Sequence, residues 1–222
     1  MYDERLETIM GRSHVREKIV ATLADADAPA IFVQGDSGSG KTSFVRDILA
    51  RNGYHAMYYD LCNYHRSMLD NIANNLSEYN NVLHMFAKTK PRTVVVLDGV
   101  EAMNCIDRSS INSVIQIIRQ RNAKKQRMNH LICIGSNHVD KGISDLTKLC
   151  AVVRLQRPSD AEQRDIVGLY AGSAAARDEI ATVARNDLRK TYMYIEFMRR
   201  SVEVRSIKPC TLCMSVRDII CS

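Results

Sequence analysis

Glycine and proline are scarce, ten and four in 222 residues, so little interrupts helices and long ones are expected. Long hydrophobic runs are lacking too. The apolar stretches are a handful of residues each, far short of the roughly 20 that span a bilayer. The amino-terminal MYDERLETIM is charged where a secretory leader would be apolar. These absences leave no expected membrane partner, and the chain reads as a soluble, intracellular protein. The seven cysteines are odd in number, and Cys105, Cys133 and Cys150 sit inside apolar segments. That is how reduced thiols behave, and it argues against a disulfide framework. Cys210-x-x-Cys213 has no second pair and no histidine at ligand spacing, so helix packing is expected there rather than zinc.

What is present is an ordinary globular balance, 45% apolar and 25% charged, enough for one ample core or one domain with a small satellite. A net charge of +6 and a pI near 9.0 point to a polyanionic partner. Much of that charge lies in RQRNAKKQR, Arg119 to Arg127. Two readings of it stand: a solvated loop between a helix and a strand, or a phosphate-contacting edge.

Five β-rich apolar runs bounded by turn residues are expected as strands: Ala30–Gln34, Ala56–Asp60, Thr93–Asp98, Leu131–Ser136 and Ala151–Leu155. Helical patterns lie between them. Ile111, Val114, Ile115 and Ile118 recur at the spacing of one buried helix face, and helices are expected over Thr42–Arg51, Met68–Leu76 and around His14–Leu23. Alternation of strand and helix predicts an α/β fold, a five-stranded parallel sheet with helices on both faces. After Arg157-Pro158 the strand signals stop and three helical patterns follow, with Ser159 or Asp160 as an N-cap. The expected division is residues 1–156 as the α/β domain and 157–222 as a small helical domain.

GDSGSGKTS, Gly35 to Ser43, matches the phosphate-loop spacing G-x-x-x-x-G-K-[ST] between a predicted strand and a predicted helix. Gly35, Asp36, Ser37, Gly38, Ser39, Gly40 and Ser43 would curl their N–H groups toward phosphates at the positive end of a helix dipole. Lys41 would reach the β- and γ-phosphates, and the Thr42 hydroxyl would ligate Mg²⁺. Asp98 ends the strand Thr93–Leu97 beside that loop, where a second contributor to Mg²⁺ must lie. ATP and Mg²⁺ are therefore the expected ligands.

Further landmarks resemble AAA+ ATPases. LICIGSN ends on Asn137, which matches the position called sensor 1. NDLRK carries Arg189 at the sensor 2 position of a helical lid. LETIMGRSHVREKI resembles the segment that wraps the adenine, which implicates Met10 and Gly11. Within that family the chain is similar to the clamp-loader group, and most to the large subunit of replication factor C. LDGVEAM (97–103), DRSSINSVIQIIRQ (107–120), GYHAMYYDLCNYHRS (53–67) and LCAVVRLQRPSDAEQRDIV (149–167, through Cys150, Arg154, Arg157 and Pro158) carry that resemblance. It implies other AAA+ clamp-loader subunits, a sliding clamp and primer–template DNA as partners, with Arg66, Arg108, Ser109 and Ser110 facing DNA phosphates. It also implies work where DNA is replicated, in the nucleus of a eukaryotic cell or at a site of viral replication.

The chain departs from the family pattern at three places. Gly99 stands where the family carries the water-polarising glutamate; Glu101, three residues past Asp98, is expected in a loop and turned away. Weak or absent hydrolysis follows, unless Glu101 or a partner's residue supplies the base. Lys148-Leu149-Cys150 replaces the Ser-Arg-Cys of the small subunits, so no arginine is offered to a neighbour's site, as in the large subunit. Asp60-Leu61-Cys62-Asn63 replaces N-A-S-D. The stretch after Arg200 is short for an oligomerising collar, leaving a minimal divergent protein and a fragment both open. The other readings are an origin-initiator or helicase-loader ATPase, and a structural nucleotide-binding ring subunit that makes no DNA contact.

Overall fold

The computed structural model describes residues 4–25, 27–65, 67–76, 92–106, 108–123, 129–137, 141–170 and 174–207, the side chains of 104–106, 108–109, 174–176 and 201–207 excepted. Cys210 and Cys213 lie outside the described residues. In chain order the elements are α1 (Glu4–Ile9), α2 (Ser13–Ala24), β1 (Ala30–Gly35), α3 (Lys41–Arg51), β2 (His55–Asp60), α4 (Ser67–Leu76), β3 (Thr93–Asp98), α5 (Val100–Ile106), α6 (Arg108–Ala123), β4 (His130–Gly135), α7 (Lys141–Thr147), β5 (Cys150–Leu155), α8 (Asp160–Tyr170), α9 (Ala174–Ala184) and α10 (Leu188–Ile207). The five strands fall within one residue of their sequence assignments, the usual uncertainty of an element's end.

The strands form one sheet in the order β2-β3-β4-β1-β5, and every pairing is parallel. Successive side chains of a strand point to opposite faces, and the core divides accordingly. Ile31, Val33, Val94, Val96, Ile132 and Ile134 pack with Ile19 of α2 and Phe44 and Ile48 of α3. Phe32, Val95, Leu97, Leu131 and Cys133 pack with Ile72 of α4, Met103 of α5 and the predicted stripe of α6, Ile111, Val114, Ile115 and Ile118. Burying each such side chain contributes about 1.5–3 kcal/mol. Arg16 ties the amino-terminal helices to α3, with Nε donating to Glu7 at 2.7 Å and Nη2 to Asp47 at 2.9 Å.

Ser159 starts α8 through a reciprocal capping box: its N–H donates to Glu162 Oε2 at 2.7 Å, and its Oγ accepts from the Glu162 N–H at 3.3 Å. Val167, Ile180 and Ile195 form a small core among α8, α9 and α10. Ile166 and Leu188 reach instead into the core beneath the phosphate loop.

One arginine of the basic stretch is not available to a polyanion. Arg121 is buried, and its Nη1 donates to Ala28 O at 2.9 Å and its Nε to Asn129 O at 3.3 Å. Burial lowers its pKa. Ala28 and Asn129 precede β1 and β4, so this residue pins the amino ends of two strands, the edge opposite the phosphate loop. Residues 124–128 lie outside the described residues.

Candidate functional site

β1, β4 and β3 are adjacent, so Gly35, Gly135 and Asp98 end side by side on the carboxyl edge, where ligands of open parallel sheets bind. A cleft of about 700 Å³ opens there, lined by Ser37, Gly38, Gly40, Lys41, Thr42 and Ser43 of the loop and by Asp98, Glu101, Ser136 and Arg189. That volume suits a small ligand.

The loop has the shape its glycines allow. Gly38 lies at φ +78°, and a methyl group there would sit 2.2 Å from Asp187 Cγ, a collision on top of backbone strain. Gly40 caps α3 in the left-handed region and leads into Lys41. Lys41 Nζ donates to Gly35 O and Asp36 O, both at 2.8 Å. Burial lowers its pKa, while Glu101, Asp98 and Asp36 oppose that shift. Thr42 Oγ1 donates to Asp98 Oδ2 at 2.8 Å. A hydroxyl and a carboxylate in contact beside an ammonium are a donor set that fits Mg²⁺ and a polyphosphate.

Three successive loop carbonyls are each held from outside. Arg157 Nε donates to Ser37 O at 2.9 Å, the Leu188 N–H to Gly38 O at 2.9 Å, and Arg12 Nη2 to Ser39 O at 2.9 Å. Asp187 caps α10 by accepting the Arg189 and Lys190 N–H groups at 2.9 and 3.2 Å, so the start of that helix rests on the loop. Sequence reasoning missed this role of Arg12, Arg157 and Asp187. The aspartate just before Leu188 carried an N-cap signal; the arginines carried no local signal, because their partners are distant in the chain.

The remaining sequence candidates divide. Arg189 lines the cleft. Asn137 is turned to the loop, its amide donating to Asp36 Oδ1 at 2.8 Å. Ser39 is buried, and its Oγ donates to Asp36 O at 2.8 Å. Met10 and Gly11 are not brought to the cleft; they line a separate cavity of about 260 Å³ with Arg154, Gln156 and Glu162. The Ser110 hydroxyl is buried and donates to the Tyr64 hydroxyl at 2.9 Å. Arg66 and the side chains of Arg108 and Ser109 lie outside the described residues.

The expected orientation of Glu101 is overturned. No loop follows Asp98: Gly99 turns at φ +79° and α5 starts at once, which puts Glu101 on its first turn. The carboxylate enters the cleft, where Oε2 accepts the Ser136 N–H at 3.2 Å. The signal was the glycine itself, which lets strand pass to helix in one residue and so sets Glu101 on the helical turn that follows Asp98.

Residues 31–157 match the family AAA, ATPase family associated with various cellular activities. The chain is similar to a replication factor C small subunit of Methanosarcina mazei, 23% identical over 201 residues that cover 84% of this chain and 55% of that protein. It therefore spans about half the length of that relative. Among solved structures it is similar to the RuvB Holliday junction branch migration motor of Thermotoga maritima (TM-score 0.62, 14% identity, 89% of this chain and 64% of that one). It is also similar to a chain of the HORMA:CdnC:Trip13 complex of Escherichia coli MS115-1 (TM-score 0.54, 15% identity, 83% and 78%). At such identities the likeness to solved structures is one of fold.

Proposed function

The chain belongs to the AAA ATPase family, and on that premise we propose that it is an ATP- and Mg²⁺-binding subunit of a clamp-loader-like assembly, acting inside the cell with other AAA+ subunits, a sliding clamp and primer–template DNA. The observation that carries nucleotide binding is the Thr42–Asp98 contact at 2.8 Å beside the Lys41 ammonium. The clamp-loader class is supported by the relationship to replication factor C along most of the chain. Within such an assembly the large-subunit position suits it, because Lys148-Leu149-Cys150 offers no arginine and Lys148 is paired with Asp145 at 2.9 Å.

Residues 1–156 then hold the nucleotide and 157–222 form the lid. Thr42 and Asp98 would hold Mg²⁺, which when bound neutralises charge on the β- and γ-phosphates. The loop N–H groups and Lys41 position the phosphates, and Arg189 approaches from α10. Because Arg157, Leu188 and Arg12 grip the loop's outer carbonyls, phosphates pulling on its inner face shift the same backbone that these elements hold. Occupancy of the cleft is thereby coupled to α8 and α10, the means by which a nucleotide would set the shape of a subunit ring.

The test is ATP-dependent co-elution of the purified chain with the clamp and primer–template DNA of its own source. Retention with ATP but not without nucleotide is expected. Tight ATP binding with no such association would sink the clamp-loader reading and leave the nucleotide site standing. On the same reading, replacing Arg66 and Arg108 together by alanine lowers the slope of log affinity against log salt by about 2, since each phosphate contact contributes roughly 0.9. A DNA-binding titration over salt concentration checks it, and an unchanged slope removes both residues from the interface.

A further inference from the structure

We infer that the cleft hydrolyses its nucleotide with Glu101 as the carboxylate that polarises the attacking water, in place of the residue directly after Asp98. The inference rests on the nucleotide-binding reading above.

Three carboxylates line the cleft among the described residues: Asp60, Asp98 and Glu101. Asp98 accepts the Thr42 hydroxyl and belongs to the metal end of the site. Asp60, at the end of the edge strand β2, accepts the Cys62 N–H and the Asn63 amide, both at 3.0 Å. Glu101 stands over the end of β4, between the strands that bear the phosphate loop and Asp98. A methyl group added to Gly135 would lie 2.8 Å from Phe32 Cζ and 3.4 Å from the Glu101 Oε2, so the carboxylate lies at contact distance from the end of β4. It lines the cleft together with Lys41, the ammonium that the terminal phosphate would meet.

The local backbone explains why the function moved. Gly99 donates its N–H to Ile134 O at 3.1 Å, and its carbonyl accepts the Ala102 N–H at 2.9 Å. The strand is therefore bound into a turn that ends in helix. A side chain at 99 would start 3.1 Å from Cys62 Sγ at a φ of +79°, a conformation L-residues rarely adopt. Residue 99 cannot readily bear the base, and the turn that excludes it brings residue 101 in.

In the step inferred, the water oxygen attacks the terminal phosphorus and its proton passes to Glu101. The bond from that phosphorus to the bridging oxygen breaks with its electron pair staying on ADP. Inorganic phosphate leaves, and Glu101 returns the proton to solvent.

Glu101→Gln keeps an oxygen to accept the Ser136 N–H and removes the base. In single-turnover measurements on the full chain, hydrolysis should fall about 10²–10⁴-fold with nucleotide affinity unchanged by calorimetry. The nucleotide recovered from the variant should be ATP, where the unaltered chain yields ADP. Gly99→Glu should bring no gain in rate and lower the thermal midpoint by about 5 °C. An unchanged rate in Glu101→Gln, intact ATP on the unaltered chain, or a rate gain in Gly99→Glu would each overturn the assignment. Failure of the nucleotide reading looks different: neither protein would bind ATP.

Discussion

Lys41→Ala is expected to weaken ATP binding by about 10²-fold, the loss of one hydrogen-bonded charge worth roughly 3 kcal/mol. The ammonium bridges Gly35 O and Asp36 O, which holds it over the loop. Burial lowers its pKa, and Glu101, Asp98 and Asp36 work against that shift. A triphosphate would bring further negative charge to these carboxylates, and the ammonium is the group positioned to meet it. Alanine leaves Asp98 and Glu101 lining the cleft without the ammonium beside them. The fold should survive, because α3 is anchored by Phe44, Val45, Ile48 and Leu49, all buried. Calorimetric titration with ATP alongside thermal melting checks both halves. An unchanged affinity would mean that the cleft is not where nucleotide binds.

The largest loss of stability is expected from Arg12→Met, about 3 kcal/mol, or roughly 10 °C in the thermal midpoint of a chain this size. Arg12 is 4% exposed. Its Nη2 donates to Ser39 O at 2.9 Å and to Gln156 O at 2.6 Å, and the guanidinium carbon lies 5.8 Å from the centre of the Phe44 ring. Methionine retains the apolar stem and removes the donor. Both carbonyls then lose a charged partner, at about 1–3 kcal/mol for each group left unsatisfied. The damage extends past stability, since Ser39 belongs to the phosphate loop and Gln156 joins β5 to α8. Nucleotide affinity should fall together with the thermal midpoint. Arg12→Lys should recover part of both, because an ammonium can still reach one carbonyl. A variant that melts like the parent would show that the contact adds nothing to the loop's rigidity.

Glu101 and Gly99 show how far residue spacing carries. From the sequence, Gly99 reads as a missing catalytic side chain. In the fold it is the turn that delivers Glu101, and the two readings lead to opposite expectations for Gly99→Glu. Arg121 teaches the same lesson in reverse. Within RQRNAKKQR it reads as one more surface cation, yet it is buried against Ala28 O, 93 residues away in the chain.

The sequence alone determined the five strands, the buried stripe of α6, the phosphate loop with Lys41 and Thr42, and Asp98 at the end of β3. All of these rest on interactions within a few residues: period-2 and period-3.6 apolar repeats, a cap, a glycine spacing. Only the tertiary structure decided the direction of Glu101, the separation of Met10 and Gly11 from the cleft, the burial of Arg121, and the grip of Arg12, Arg157 and Leu188 on the loop. Those depend on groups up to 144 residues apart, as Arg12 and Gln156 are. Such groups meet only after the sheet has set its strand order, and no local pattern encodes a partner that the chain reaches by folding.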